Sequence, residues 1–325
     1  MAEIQNYFDK FNANIKMDYT TNSFLRNKRA IIIKDLRIGL KKLFVSAPPT
    51  FKVFHQGSYV IGTGVRPLVG DDFDIDIGIA FNISKKEFQP TLVKAWVFNA
   101  LNTLARNVEY KRPCIRVQYY KNKEKNFHVD LAIYTSPGSE NSWDKNYYIA
   151  KGYFGSKEAN IVWEVSEPAR LVELFKKKFR NAKDREQFRR VIRYLKRWKD
   201  YNFSSDGHAK PRGIAITALA YNFFNPTKSY SWNDNKHYYD DLRATANLVS
   251  AITNRFGWAG KISVNLPVQP YNDLFEKMTH IQSRKFKEKL VALSGALTFA
   301  ANESGVCKAC RKLQKVFGDD FPTPY

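Results

Sequence analysis

The sequence predicts an α+β protein: a mixed β-sheet carrying helices in the first half and a helical second half. Three observations carry this. Strand-type alternation of apolar and polar residues occurs at 51–55, 73–81, 114–120 and 127–135. Helix-type spacing occurs at 24–44 and from Thr91 to Arg106. From Glu167 onward the pattern is helical, with one strand-like run at Lys261–Leu266. With 325 residues, 44% hydrophobic and 15% aromatic, the chain can fill the core of one large domain or two lobes. The expected division is a lobe over 1–160, with an N-terminal helix, and a helical lobe over 161–325, the boundary falling near 150–165.

In chain order, Leu25, Ile32, Leu36, Leu40 and Leu43 define the first helix, which must end before Pro48-Pro49. The strand at 51–55 runs into Gly57-Ser58, a turn that can bring backbone N–H groups and a hydroxyl close to phosphate oxygens. Over 73–81, Phe73, Ile75, Ile77, Ile79 and Phe81 share one face, leaving Asp72, Asp74 and Asp76 on the other. Asp74 and Asp76 leave the backbone roughly 7 Å apart and can lean inward to clamp two divalent ions about 4 Å apart. That geometry suits phosphoryl transfer. Such chemistry expects a third carboxylate, and 127–134 supplies it: Val129, Leu131 and Ile133 face inward and Asp130 faces the polar side.

In the second half, Phe188, Val191, Ile192, Leu195 and Trp198 form an apolar stripe, so Arg189, Arg193, Lys196, Arg197 and Asp200 are expected off the buried face. Further helices are expected at 212–224, 236–256, 272–302 and 305–317.

Gly-Ser, then Asp-x-Asp sixteen residues after the serine, then a lone Asp on a later strand, resembles the nucleotidyltransferase superfamily of DNA polymerase beta. More narrowly, Gly57-Ser58-Tyr59 with Gly62-Thr63, Pro67 and Phe73-Asp74-Ile75-Asp76 resembles the bacterial CD-NTases, relatives of cyclic GMP-AMP synthase and oligoadenylate synthase. Leu195–Lys199, Lys210–Leu219 and Lys315–Pro322 resemble that family's helical half, extending the likeness over about residues 20–322. The resemblance implies a polymerase beta-like lobe and a helical lobe with a cleft between them. It further implies synthesis of a cyclic oligonucleotide that a downstream effector senses in antiphage (CBASS) defence.

On that reading Asp74, Asp76 and Asp130 hold two Mg²⁺ ions, for which Mn²⁺ can substitute, and Asp130 assists deprotonation of the attacking ribose hydroxyl. Gln56, Gly57 and Ser58 grip the donor NTP, and Lys196 of the Lys-x-Trp motif is a further phosphate ligand. Where many relatives carry serine after a proline, this chain has Arg212-Gly213, so backbone N–H or Arg212 is expected to replace the hydroxyl. Two other readings stand beside it: an RNA-terminal nucleotidyltransferase, and an inactive nucleic-acid-binding module. Intact Asp74, Asp76 and Asp130 argue against the module.

The formal charge of +22 exceeds what an NTP cleft requires. Twelve cations fall between Lys176 and Lys199 with only Asp184 and Glu186 as nearby acids, which points to a polyanion. The expected partner is an activating RNA or DNA, bound through Lys176, Lys177, Arg189, Arg190, Arg193 and Arg197. A second basic cluster is Arg284, Lys285, Lys287 and Lys289.

Three cysteines argue against a disulfide framework, and Cys307-x-x-Cys310 lacks the second ligand pair of a zinc site. The N-terminus lacks the basic-then-apolar order of a secretory signal. The longest uncharged apolar stretch, 290–301, is shorter than the roughly 20 residues of a membrane span. A cytoplasmic protein with no membrane segment is therefore expected.

Overall fold

The computed structural model describes residues 3–17, 19–103, 106–121, 124–135, 146–155, 157, 160–204, 209–232 and 234–324. The first half runs α1 (Gln5–Ile15), α2 (Tyr19–Leu43), β1 (Phe51–His55), α3 (Gly57–Ile61), β2 (Phe73–Phe81) and α4 (Pro90–Leu101). Five strands follow: β3 (Asn107–Tyr110), β4 (Ile115–Lys121), β5 (Glu124–Thr135), β6 (Tyr147–Lys151) and β7 (Val162–Ser166). The second half holds α5 (Pro168–Lys176), α6 (Ala182–Asn202) and α7 (Gly213–Phe223), then the hairpin β8 (Lys228–Ser231) and β9 (Lys236–Tyr239). It closes with α8 (Asp241–Thr253), α9 (His280–Asn302) and α10 (Val306–Phe317).

Strand order in the large sheet is β1-β2-β5-β4-β3, with β6 on β5 and β7 on β6. Among the described residues only the central pair, β2 and β5, is parallel, so the sheet is mixed as expected. One face is apolar because the alternation made it so. Ile75, Ile77, Ile79 and Phe81 join Val129, Leu131 and Ile133 beneath Ile32, Leu36 and Leu40 of α2 and Val93, Val97 and Leu101 of α4. The other face is closed over only part of its area. Gly78, Ala80 and Ala132 are small enough to admit Phe54, Tyr134 and Tyr147, and a Cβ on Gly78 would overlap the Phe54 ring. Nearer the start of β2 that cover is missing, and there Asp74 and Asp76 emerge.

Lys94 of α4 is fully buried, and its ammonium donates to the carbonyls of Lys111, Arg112 and Gly152 at 2.6, 2.9 and 2.7 Å. It joins α4 to the β3–β4 turn and the end of β6.

A second core is built from α5 to α10. Helix α1 belongs to it, because Phe8, Phe11 and Ile15 are buried there; Phe11 stacks on Tyr194 at 5.1 Å and packs against Phe317 and Phe321.

Several expectations need correcting. Helix α4 stops at Leu101 and β3 begins at Asn107, so the run to Arg106 is too long; residues 104 and 105 lie outside the described residues. The expected helix over 236–256 begins at Asp241, capped by the Asp240 side chain, because 236–239 pairs with 228–231. The helix expected from 272 begins after a capping box formed by Thr279 and Gln282. Lys261–Leu266 is not a strand; a single bridge joins Asn265 to Asp273. These boundaries depend on caps and pairings that hydrophobic spacing does not record.

The largest correction concerns α6. Gln187, Phe188 and every residue from Val191 to Trp198 are buried, including Arg193, Lys196 and Arg197. Rather than facing solvent, these cations bind across the molecule. Arg193 donates to Gly62 O at 2.6 Å and Asn12 Oδ1 at 2.9 Å, Lys196 to Thr63 O at 3.0 Å, and Arg197 to Arg66 O at 2.8 Å. Burial is tolerated because each charge meets backbone carbonyls, and Arg197 also pairs with Asp320.

Candidate active site

The parallel register of β2 and β5 sets Asp76 beside Asp130 and Asp74 beside His128. Antiparallel pairing then sets Arg116 of β4 opposite Asp130. Arg116 grips Asp130 with two bonds of 2.8 Å, from Nε to Oδ1 and from Nη2 to Oδ2. Each oxygen keeps a lone pair for a further partner.

Asp76 is crowded by like charge. Burial, reinforced by the charges of Asp74 and Asp130, pushes its carboxyl well above the usual range. Gly57 makes this approach possible: its φ is +77°, and a Cβ there would fall on the Asp76 carboxylate. Two requirements, a left-handed turn and an open path to a carboxylate, thus fix one residue type.

These residues line a cleft of about 630 Å³. Gln56, Gly57, Ser58, Asp74, Asp76, Lys196, Arg212 and Gly213 all contribute, so elements up to 157 residues apart converge on it. Asp130 sits just behind, its side chain 15% exposed. Lys196 reaches the cleft from inside the protein, donating to Thr63 O and Thr63 Oγ1 at 3.0 and 3.1 Å. Burial and the neighbouring Lys199 push its ammonium down to about 7, with Asp200 and Asp76 opposing. Beyond it, Asp200 holds Lys199 at 2.9 Å and Lys210 at 3.1 Å, two more cations on the cleft wall. The far wall is apolar, formed by Ile61, Leu171, Val172, Ile214 and Val268.

Sequence reasoning missed one cluster. His128 Nδ1 is 2.8 Å from Asp72 Oδ2, Gln118 Nε2 donates to that same oxygen at 2.9 Å, and His128 Nε2 is 3.0 Å from Asp74 Oδ1. Burial opposes the charge on both partners, yet the bond to Asp72 carries His128 up to about 9, and the bonds from His128 and Gln118 hold Asp72 down to about 2. The signal was present: His128 is two residues before Asp130, and Asp72 two before Asp74, so alternation alone puts both on the polar face.

The basic residues divide. Lys176 and Lys177 are exposed, Arg189 is half-buried beside Gly62, and Arg190 forms a bidentate pair with the fully buried Asp241 at 2.6 and 2.8 Å. Arg193 and Arg197 are inside, so the expected outward patch loses both.

With this geometry in place, likeness to known proteins becomes informative. Residues 51–134 match the family model described as cyclic GMP-AMP synthase DncV-like, nucleotidyltransferase domain, the stretch that holds Asp74, Asp76 and Asp130. This stretch, about a quarter of the chain, is similar to a DncV-like nucleotidyltransferase domain. A curated relative, c-di-GMP synthase of Roseivirga ehrenbergii, is 23% identical to this chain over 199 residues, covering 55% of this chain and 50% of the relative. The chain thus matches half the length of that protein.

Among solved structures, Vibrio cholerae DncV cyclic AMP-GMP synthase, described as a prokaryotic cGAS homolog, aligns with a TM-score of 0.77 at 17% identity. The alignment covers 99% of this protein and 98% of that chain. The same Vibrio cholerae enzyme in complex with nonhydrolyzable GTP aligns at 0.74 with 17% identity, over 96% and 93%. The fold, including the helical half, is therefore that of DncV, and the polymerase beta-like expectation agrees with it. Among the described residues, no helix is long and apolar enough to cross a membrane.

Proposed function

We propose that this CD-NTase joins NTPs into a cyclic di- or oligonucleotide by attack of a ribose hydroxyl on an NTP α-phosphate, with pyrophosphate leaving. The observation that carries the reading is the convergence of Asp74 and Asp76, at the wall of the cleft, with Asp130 on the adjacent parallel strand. The residues fit divalent cations. Burial and the charges of Asp74 and Asp130 push up the Asp76 carboxyl, and a cation among the three would relieve that repulsion. Asp74, Asp76 and Asp130 would hold two Mg²⁺ ions, which lower the pKa of the attacking hydroxyl and stabilise the leaving pyrophosphate.

The chain's own residues do the rest. The Gly57 turn and Ser58 face the donor phosphates, while Lys196, Lys199, Lys210 and Arg212 supply positive charge along the same wall. The apolar wall of Leu171, Val172, Ile214 and Val268 excludes water around a base. Arg116 fixes the rotamer of Asp130. We keep the division into lobes near residue 160, with α1 adding to the second core.

The likeness to that family supports, as further parts of the proposal, a cytoplasmic signalling role in antiphage (CBASS) defence and an effector that senses the product. Incubation with labelled NTPs and Mg²⁺, followed by phosphatase, tests the reaction. Short discrete products that resist phosphatase are expected. A ladder growing on an added RNA primer would replace cyclisation with tailing.

An activating RNA or DNA remains part of the proposal, now confined to the outward cations Lys176, Lys177, Arg180, Lys183 and Arg189. Phosphate contacts release counterions, so affinity for RNA should fall roughly 10³-fold between 50 and 200 mM salt if about six phosphates are engaged. Lys176→Glu with Lys177→Glu should weaken binding and activation together. Full activity without nucleic acid, unchanged by adding it, makes these residues a solubility feature.

A further inference from the structure

We infer that His128 is itself a metal ligand, supplying a nitrogen beside the carboxylate oxygens and biasing the site toward Mn²⁺ over Mg²⁺. The inference rests on the carboxylate metal site proposed above and adds a residue that the Asp-x-Asp pattern does not contain.

The His128 side chain is 8% exposed, and its Nε2 is buried without a hydrogen bond. Asp74 Oδ1 is 3.0 Å away, within reach of a charge interaction, but off the line that a hydrogen bond needs. Both ring nitrogens face carboxylate oxygens: Nδ1 meets Asp72, outside the proposed metal cluster, and Nε2 lies 3.0 Å from Asp74 Oδ1, inside it.

The anchor is the arrangement typical of metal-bound imidazole. Nδ1 meets Asp72 Oδ2 at 2.8 Å, and Asp72 is itself held by Gln118 at 2.9 Å, whose amide also donates to Phe127 O at 3.1 Å. With a cation in the cluster, a carboxylate on Nδ1 keeps the ring's proton there and turns the Nε2 lone pair to the ion. One potential ligand atom each from Asp74, His128 and Asp130 lies within 4.8 Å of the others, so a single ion can touch all three.

The chemistry of the donor set then decides the preference. Mg²⁺ takes oxygen ligands and keeps its waters, whereas imidazole is a good ligand for later, softer divalent ions. A site of two carboxylates and one imidazole therefore favours Mn²⁺ more than one of three carboxylates. Asp72, which touches the imidazole, and Gln118, which holds Asp72, act as positioning residues.

The test uses the full chain, stripped of metal, with Mn²⁺ alone and no nucleotide. Pulsed electron paramagnetic resonance should show ¹⁴N coupling from a directly bound imidazole in the unmodified protein. His128→Gln should abolish that coupling and weaken Mn²⁺ binding roughly 10- to 100-fold, and Asp72→Asn should weaken it by about tenfold. Mg²⁺ binding should change less in both variants. Mn²⁺ bound without nitrogen coupling would overturn the assignment of His128 and leave the carboxylate site standing. Mn²⁺ binding that Asp74→Asn does not alter would instead remove the carboxylate site itself. The spectrum of the unmodified protein decides the matter even where a variant fails to fold.

Discussion

Asp74→Asn, Asp76→Asn and Asp130→Asn should each lower nucleotide transfer by about 10³-fold or more. Losing a ligand that holds a catalytic cation removes several kcal/mol of charge stabilisation in the transition state, and about 4 kcal/mol corresponds to 10³ in rate. The three variants should differ in stability, which separates catalysis from folding. Asp76 is half-buried between like charges, so neutralising it should raise the melting temperature of the metal-free protein. Asp130 is gripped by Arg116, and Asp130→Asn should lower it. Product assays beside thermal melts check both halves. Active variants, or activity lost only with unfolding, would end the assignment of these residues to the reaction.

The second large effect lies away from the cleft. Asp241 is fully buried at the start of α8, and accepts from Arg190 at 2.6 and 2.8 Å, from Gln187 at 3.2 Å and from the Tyr194 hydroxyl at 2.8 Å. Its backbone N–H donates to Gln5 Oε1 at 2.8 Å, so α1, α6 and α8 meet at this one residue. Asp241→Ala leaves the Arg190 guanidinium buried without a counter-charge and should cost roughly 3–5 kcal/mol. For a chain of this size that lowers the melting temperature by about 5 °C. Arg190→Ala should cost a similar amount, and the double variant much less than the sum, because removing the second charge leaves nothing unpaired. Denaturant melts of the four proteins give the coupling directly. A loss under about 1 kcal/mol for Asp241→Ala would show that the pair is not the joint the geometry implies.

Both predictions depend on how charged side chains are buried, and there sequence and structure divide. Period-two alternation was enough to place 73–81 and 127–135 as strands, to turn Ile75, Ile77, Val129 and Leu131 inward and to present Asp74, Asp76 and Asp130 on one polar face. Alternation fixes faces because successive Cβ atoms point opposite ways whatever surrounds the strand. Gly57-Ser58 was legible for a similar local reason, since a positive φ selects glycine in any context.

Three things were decided only by the tertiary structure. The parallel register that sets Asp76 against Asp130, and Arg116 across from it, depends on pairing between segments that are far apart in sequence. The same register makes His128 the neighbour of Asp74. The third is α6, where one apolar stripe implied one buried face, but α1, α7, α8 and α10 pack around the helix together with the loop at 62–66. A helix enclosed on all sides buries its cations as well as its leucines, provided that each cation finds an acceptor. The acceptors for Arg193, Lys196 and Arg197 are backbone carbonyls more than 130 residues away, groups that every residue carries and no side-chain pattern can announce.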